Sequence, residues 1–255
     1  MNLGIIGCGA IGTDVADAAD KMNEISKIFL FDISKNASIK LSKKIKKSES
    51  SNLDEILNKA DIVFEGASQQ AVQEYSEKIL EAGKDLIIMS IGGLLDDSFR
   101  NKLEKIALKN GCKIYIPSGA IFGIDGLASA SIGGLDEVTL VTTKPPESFG
   151  KKFEKRKVLF EGKAKDAIKK FPKNINVAAS VSLAGIGFNE TMVEIVADPV
   201  ATRIHHKILA HGKFGRLRAE VENMPNPKNP KSSYLASLSA ISTLKKIINP
   251  IQVGS

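Results

Sequence analysis

Gly7-Cys8-Gly9-Ala10-Ile11-Gly12 decides the reading of the N-terminal half. The hexapeptide fits G-x-G-x-x-G, a pattern that carries little weight alone because turns use glycine freely. Its surroundings give it weight. Leu3–Gly7 is an apolar run, a helical pattern follows from Ala10 to about Met22, and Asp32 ends the next run, Lys27–Phe31. Gly7 permits the tight turn, Gly9 lets the backbone approach a pyrophosphate, and Gly12 allows the helix to pack on the strand. The helix start, Ala10 and Ile11 included, offers free N–H groups and partial positive charge to phosphates. Asp32 lies 20 residues past Gly12, where the dinucleotide fingerprint places a carboxylate for the adenosine ribose hydroxyls. That carboxylate repels a 2′-phosphate, so NAD is the expected cofactor. Lys35 stands near enough to soften the repulsion and leaves NADP possible.

Outward from this turn, the strand-like runs Asp61–Phe64, Leu86–Met89 and Lys113–Ile116 alternate with helical stretches over Ala37–Lys47, Ser68–Glu81 and Asp96–Lys109. Short strands alternating with helices of this length mean βαβ units and a parallel sheet. Runs without polar alternation fit strands covered on both faces. Residues 1–117 are therefore expected to form an α/β Rossmann nucleotide-binding domain.

After Pro117 the pattern changes. Val138–Thr143, Met192–Ala197 and Arg216–Val221 read as longer strands, with helices over Lys163–Phe171 and Ile175–Ala184. Residues 118–230 are expected to be a smaller α+β domain for catalysis and dimerisation. Pro225–Pro230 reads as a loop and Ser232–Ile248 as a last amphipathic helix. A C-terminal segment, 231–255, is expected to return and complete the nucleotide domain.

Composition narrows the classes. The 255 residues are 43% hydrophobic and 25% charged, enough to bury a core in one large domain or two small ones. No apolar run is long enough to span a membrane, and the first residues read as a strand entering a turn, not as a signal peptide. A cytoplasmic protein is expected. The net charge of +7 could suit nucleic acid, but the lysines gather in Lys35–Lys47 and Lys151–Lys173 with few aromatics between them. A solvated face is the simpler reading, and an anionic cofactor with a dicarboxylate substrate suits the same charge. Cys8 and Cys112 lack disulfide or metal spacing and read as small buried fillers.

The three histidines, His205, His206 and His211, fall within seven residues. Histidine is the usual proton-transfer group near neutral pH. The spacing matches no zinc pattern, and no metal is expected. On a strand, His205 and Lys207 would face away from His206. Chemistry alone does not choose between His205 and His206.

Several segments together resemble the L-aspartate dehydrogenase family. They are Gly7–Gly12, Ser90-Ile91-Gly92-Gly93-Leu94, Pro117-Ser118-Gly119-Ala120, Phe171 through Ala178, Ala197-Asp198-Pro199 through His206, Gly212-Lys213-Phe214-Gly215, Glu222-Asn223, and Asn229 through Ala236. The resemblance implies NAD(P)-dependent oxidation of L-aspartate to iminoaspartate and oxaloacetate, which feeds NAD biosynthesis. The second domain's open sheet suits a symmetric homodimer, and neither a nucleic-acid nor a membrane partner is expected. It implies that His206 is the catalytic histidine and that Ala120 and Asn176 meet the nicotinamide. Arg203, Lys207, Ser232 and Ser233 are candidates for the substrate carboxylates. Two positions depart from the family pattern: Ile204 replaces an asparagine, and Gly93 an alanine.

The paired histidines also resemble the dihydrodipicolinate reductases. That family places a lysine three residues after the second histidine, where this chain has Leu209. A homoserine-dehydrogenase-like reductase, or a non-catalytic NAD-sensing protein, would also fit the glycine turn.

Overall fold

The computed structural model describes residues 1–150, 152–171 and 176–254, with Lys231 in its backbone only. Pro172, Lys173, Asn174 and Ile175 of the segment quoted above, and Lys151 of the lysine-rich run, lie outside the described residues. The chain divides into one unit of Met1–Pro117 with Ser237–Ile251, and a second of Ser118–Ala236 with the residues from Gln252 on.

The first unit runs β1 (Asn2–Ile6), α1 (Ala10–Ala19), β2 (Lys27–Phe31), α2 (Lys35–Ser42), β3 (Ser48–Ser50), α3 (Leu53–Lys59), β4 (Ile62–Glu65), α4 (Gln69–Glu81), β5 (Asp85–Ile88), α5 (Asp97–Asn110) and β6 (Ile114–Tyr115). The strands form one parallel sheet in the order β3-β2-β1-β4-β5-β6. Both faces are covered, and Leu3, Ile5, Leu30, Val63, Phe64 and Ile87 are fully buried. The order reverses between β1 and β4, which opens a crevice at the strands' carboxyl ends.

Two expected boundaries differ. The helix expected over Ala37–Lys47 stops at Ser42, because Ser48–Ser50 pairs with β2 as an edge strand. Helix α3 is a further element with little apolar periodicity of its own. It starts on a capping box in which Asn52 and Glu55 satisfy each other's backbone N–H groups.

Glu65 ends β4 inside the molecule, 1% exposed. Its carboxylate accepts from the Ala67 and Ser68 N–H groups at 2.8 and 2.9 Å, from Ser90 N at 3.0 Å and from Ser90 Oγ at 2.9 Å. Burial pushes the carboxyl up while these donors pull it down. The side chain thus ties the turn after β4 to the turn after β5, both beside the crevice.

The second unit runs α6 (Ile124–Ile132), β7 (Leu135–Lys144), β8 (Lys157–Lys163), α7 (Ala164–Lys170), α8 (Asn176–Ala184), β9 (Met192–Ala197), β10 (Ile204–Gly212), β11 (Gly215–Asn223), β12 (Pro225–Asn226) and β13 (Asn229–Ser233). Its main sheet has the order β11-β10-β7-β9-β8, mixed in direction. Helix α8 packs against both α6 and α7 and lies over one face of the sheet. Period-two alternation turns Val138 and Leu140 of β7, Ile208 and Ala210 of β10, and Val193 and Ile195 of β9 into that covered face.

Part of the solvated lysine face expected beyond residue 151 is strand β8. It is an edge strand with lysines at both ends, a usual way to keep an edge from pairing further. The last helix, α9, spans Tyr234–Ile248 and enters the first unit from Ser237. The expected start at residues 231–232 is corrected. Asn229–Ser233 is a strand, because Ser233 pairs with Pro225 and Asn229 with Asn226 in a small hairpin.

Replacing Glu65 by Gln puts an amide N–H₂ against N–H donors that need an acceptor. A loss of about 2–3 kcal/mol is expected, roughly 5–10 °C in melting temperature. Calorimetry showing an unchanged midpoint would contradict this role for Glu65.

Candidate functional site

In the first unit the candidate site is the turn between β1 and α1. Gly7 adopts φ +95°, a left-handed conformation that costs a side chain dearly. A Cβ on Gly12 would fall on the Gly7 carbonyl oxygen, whereas a Cβ on Gly9 would meet nothing within 4 Å. Gly12 is thus needed for packing, and Gly9 leaves the backbone open to a ligand. Helix α1 has no side-chain cap and no acidic residue in its first turn. The N–H groups at its start, on Ala10, Ile11 and Gly12, are those that α-helical geometry leaves without an intrahelical acceptor.

Asp32 follows β2. Its Oδ2 accepts from Cys8 N at 2.8 Å and its Oδ1 from Ser34 N at 2.8 Å. These bonds fix the carboxylate and still leave acceptor capacity on each oxygen. The cleft beside it measures about 300 Å³ and is lined by Gly7, Gly9, Asp32, Ile33, Glu74 and Tyr75 among others. Ile33 is 92% exposed there, an apolar surface next to a carboxylate. An open glycine backbone, an uncapped helix start, a fixed carboxylate and an apolar edge fit an adenosine diphosphate moiety. Cys8 lies in the same turn, but burial and the Asp32 carboxylate push its thiol up to about 12. It is a neutral filler.

A second group of candidate residues lies on the covered face of the second unit's sheet. That face is apolar along most of its length and polar at one end. His206 on β10 pairs with Thr142 on β7 and with Val221 on β11. The Thr142 hydroxyl meets His206 Nδ1 at 3.0 Å. Two residues on, Lys144 of β7 shares the same face and is 6% exposed, while His206 is 4% exposed. Burial lowers Lys144 to about 8. It lowers His206 to about 3, and the Lys144 ammonium and His205 add to the effect. His206 is therefore a neutral imidazole at physiological pH.

Asn223, two residues past Val221 on β11, is buried and donates from Nδ2 to the Ala120 carbonyl oxygen at 3.0 Å. Ala120 is thereby held to the polar end of the sheet. Asn176 begins α8, is exposed, and accepts from Ser180 Oγ at 3.0 Å through its backbone oxygen. Two residues later, Ala178 lines a small cavity with Thr142 and Lys144.

The strand choice separates the other histidines. His205 and Lys207 face the opposite side of β10, where His205 Nε2 lies 3.6 Å and Lys207 Nζ 3.9 Å from the Glu220 carboxylate. His211 is exposed and bonds Glu137 through Nε2 at 3.0 Å. Lys207, a candidate for the substrate carboxylates, thus lies on the opposite face of the sheet from His206. Arg203 is exposed in the turn before β10. Ser232 Oγ donates to the Asn229 carbonyl at 3.0 Å within its own hairpin, and Ser233 is buried beside it.

Comparisons with known proteins cover both units. Residues 125–247 match the family model "Aspartate dehydrogenase, C-terminal", and residues 7–117 match "Homoserine dehydrogenase, NAD binding domain". The L-aspartate dehydrogenase of Methanosarcina barkeri is 46% identical over 270 aligned positions, covering 100% of each chain. That of Methanothermobacter thermautotrophicus is 40% identical over 256 positions, covering 100% of this chain and 99% of its own.

The chain belongs to the L-aspartate dehydrogenase family.

A solved member, the aspartate dehydrogenase of Thermotoga maritima, superposes with a TM-score of 0.82 at 31% identity, covering 100% of this chain and 99% of that one. The fold alone is shared more widely: scyllo-inositol dehydrogenase from Lactobacillus casei gives a TM-score of 0.58 at 16% identity, over 100% of this chain and 91% of that one. The first unit is thus an NAD-binding domain of Rossmann type, and the second is the family's own α+β domain.

Sequence reasoning missed Thr142 and Lys144, and it met Asn223 only inside a matching segment, with no role given to it. Thr142 lies 64 residues from His206, so no local motif joins them. One signal was available: Val138, Leu140, Thr142 and Lys144 continue one alternation, and its last two members are polar.

The neutral imidazole has a measurable consequence. Above about pH 6.5 neither the folded nor the unfolded chain protonates this histidine, and its stabilising contribution is fully present. Below it, the unfolded chain takes up a proton that the folded chain refuses until about 3. Stability should fall by about 1.4 kcal/mol per pH unit through that window from this group. Compared with His206→Gln, the unsubstituted protein should lose about 2 kcal/mol more between pH 7 and pH 5 in urea titrations. Parallel curves for the two proteins would sink the assignment of a neutral, buried imidazole.

Proposed function

We propose that this chain oxidises L-aspartate at the α-carbon with NAD as the hydride acceptor, giving iminoaspartate. The observation that carries the reading is the buried, neutral His206 fixed by Thr142, in a chain aligned end to end with relatives named L-aspartate dehydrogenase. When bound, the nicotinamide ring supplies the acceptor for the hydride that leaves the aspartate α-carbon.

The protein's part is proton transfer and placement. A hydride can leave the α-carbon only when the nitrogen lone pair is free to form the C=N bond, so the α-ammonium must first lose a proton. His206 Nε2 accepts that proton in the tautomer whose Nδ1–H donates to Thr142 Oγ1. The dianionic side of the substrate lifts His206 from its depressed value toward the range where it binds a proton. Water adds to the imine carbon, and loss of ammonia gives oxaloacetate. Ala120, Asn176 and the Asn223 bond that holds the Ala120 carbonyl support the nicotinamide end of the cofactor. Gly7, Gly9, Gly12 and the amides of Ala10 and Ile11 support the pyrophosphate, and Asp32 the adenosine ribose.

We further place the enzyme in the route from aspartate toward NAD. Free thiols at Cys8 and Cys112 fit a reducing, cytoplasmic compartment. A symmetric dimer is proposed through the uncovered face of the second sheet, where Leu209 is 38% exposed. Among the described residues no helix is long and apolar enough to cross a membrane.

Absorbance in the NADH band during incubation with NAD and a panel of amino acids should rise with L-aspartate and with no other. His206→Ala should lower kcat at least about a hundredfold while NADH still binds. Full turnover in that variant would remove His206 from the mechanism. NADH binding without turnover of any amino acid would point to a sensor.

Asp32→Asn should narrow the preference for NAD over NADP by about tenfold or more in kcat/KM. An unchanged ratio would mean that the discrimination lies elsewhere.

A further inference from the structure

The buried ammonium of Lys144 lies on the same face of the second unit's sheet as Thr142 and His206, and its position suits an anionic ligand. It sits at the polar end of an otherwise apolar sheet face, two positions along β7 from Thr142. Same-face neighbours on a strand stand roughly 7 Å apart, so the Lys144 stem starts one step from the residue that holds His206. Ala197 of β9 flanks it in register, and continuing the β7–β10 register brings Ile204 opposite it. The cavity at this point has room for about one water molecule. Its walls are Thr142 and apolar side chains that include Phe149, Phe171 and Ile195, and Lys144 carries the one charge among its described lining residues. In so apolar a setting a cation's attraction for a ligand's negative charge is weakly screened and correspondingly strong.

We propose that Lys144 is the cation that receives a carboxylate of the substrate, and that it, with the Thr142–His206 pair beside it, makes the second unit selective for a dicarboxylate amino acid. The inference rests on the proposed oxidation of aspartate and deepens it. Arg203 is exposed and Lys207 lies behind the sheet. Lys144 therefore replaces them as the carboxylate partner. An amine hydrogen-bonded to His206 and a carboxylate on Lys144 are separated by a short carbon chain, as in a small dicarboxylic amino acid. A carboxylate entering here also offsets the positive charge that helps hold His206 neutral.

Lys144→Met keeps the length and apolar stem of the side chain and removes the charge, so the variant should fold at least as well as the parent. KM for L-aspartate should rise about 10- to 100-fold, with kcat changing less and NADH affinity unchanged. Lys144→Arg should recover part of the loss. L-alanine and β-alanine, read as competitive inhibitors of aspartate oxidation, tell which carboxylate is held: weaker inhibition by β-alanine alone in Lys144→Met assigns the side-chain group, and weaker inhibition by L-alanine alone assigns the α-carboxylate. A second readout needs no turnover. Succinate added to the NADH complex should alter NADH fluorescence in the parent and not in Lys144→Met.

An active enzyme whose aspartate KM is unmoved by Lys144→Met overturns this site and leaves the activity standing. Equal succinate binding by both proteins, or by neither, also overturns it. Loss of succinate binding in the variant, with no aspartate oxidation by the parent, keeps the carboxylate site and overturns the activity.

Discussion

The hydrogen bond between Thr142 and His206 depends on strand register, and much of the second unit's chemistry follows from that register. β7 and β10 pair so that residue 142 faces residue 206, and the two-residue period then decides every neighbour. Shifting the pairing by one residue would turn His205 and Lys207 toward the helices and leave His206 in solvent. The apolar members of the alternation, Val138, Leu140, Ile208 and Ala210, are what fix it. Core packing and placement of the functional groups are thus set by one constraint, with the polar residues confined to the end where the apolar ones stop.

Burial then gives those groups their character. A histidine in water is half protonated near pH 6.5. Against Thr142 and beside Lys144 it stays neutral. Lys144 is itself shifted downward by burial, yet at about 8 it remains largely charged at neutral pH. A neutral acceptor of protons and a cation stand side by side, a division of roles that a dicarboxylate bearing an amine would use. The first unit works by fixed dipoles: an uncapped helix start, an open glycine and a carboxylate held by two backbone N–H groups.

The glycine turn, Asp32 and the βαβ rhythm are legible in the sequence because each is a local pattern whose parts lie within one supersecondary unit. The elements missed in that domain, β3 and α3, are short and polar, and they exist because a neighbouring strand or a capping box holds them. In the second domain β8 carries too much charge to read as a strand, being an edge. β10 is hidden by its own function, since histidines and a lysine interrupt the apolar alternation that would announce it. Lys207 illustrates the limit: adjacent to His206 in sequence, it is on the other side of the sheet. Lys144 illustrates the reverse, remote in sequence and a neighbour in the fold. Residue Ile204, where the family pattern has asparagine, falls in the row of Lys144 and Asn223, and nothing in the structure explains its substitution.

The central claim is that the α-hydrogen of aspartate passes directly to the cofactor in a site built around His206. Turnover of L-aspartate deuterated at the α-carbon, with mass analysis of the NADH formed, tests it most directly. The account predicts one deuterium at C4 of the nicotinamide ring and slower turnover than with the protiated substrate. NADH without deuterium, formed at the same rate, would contradict it.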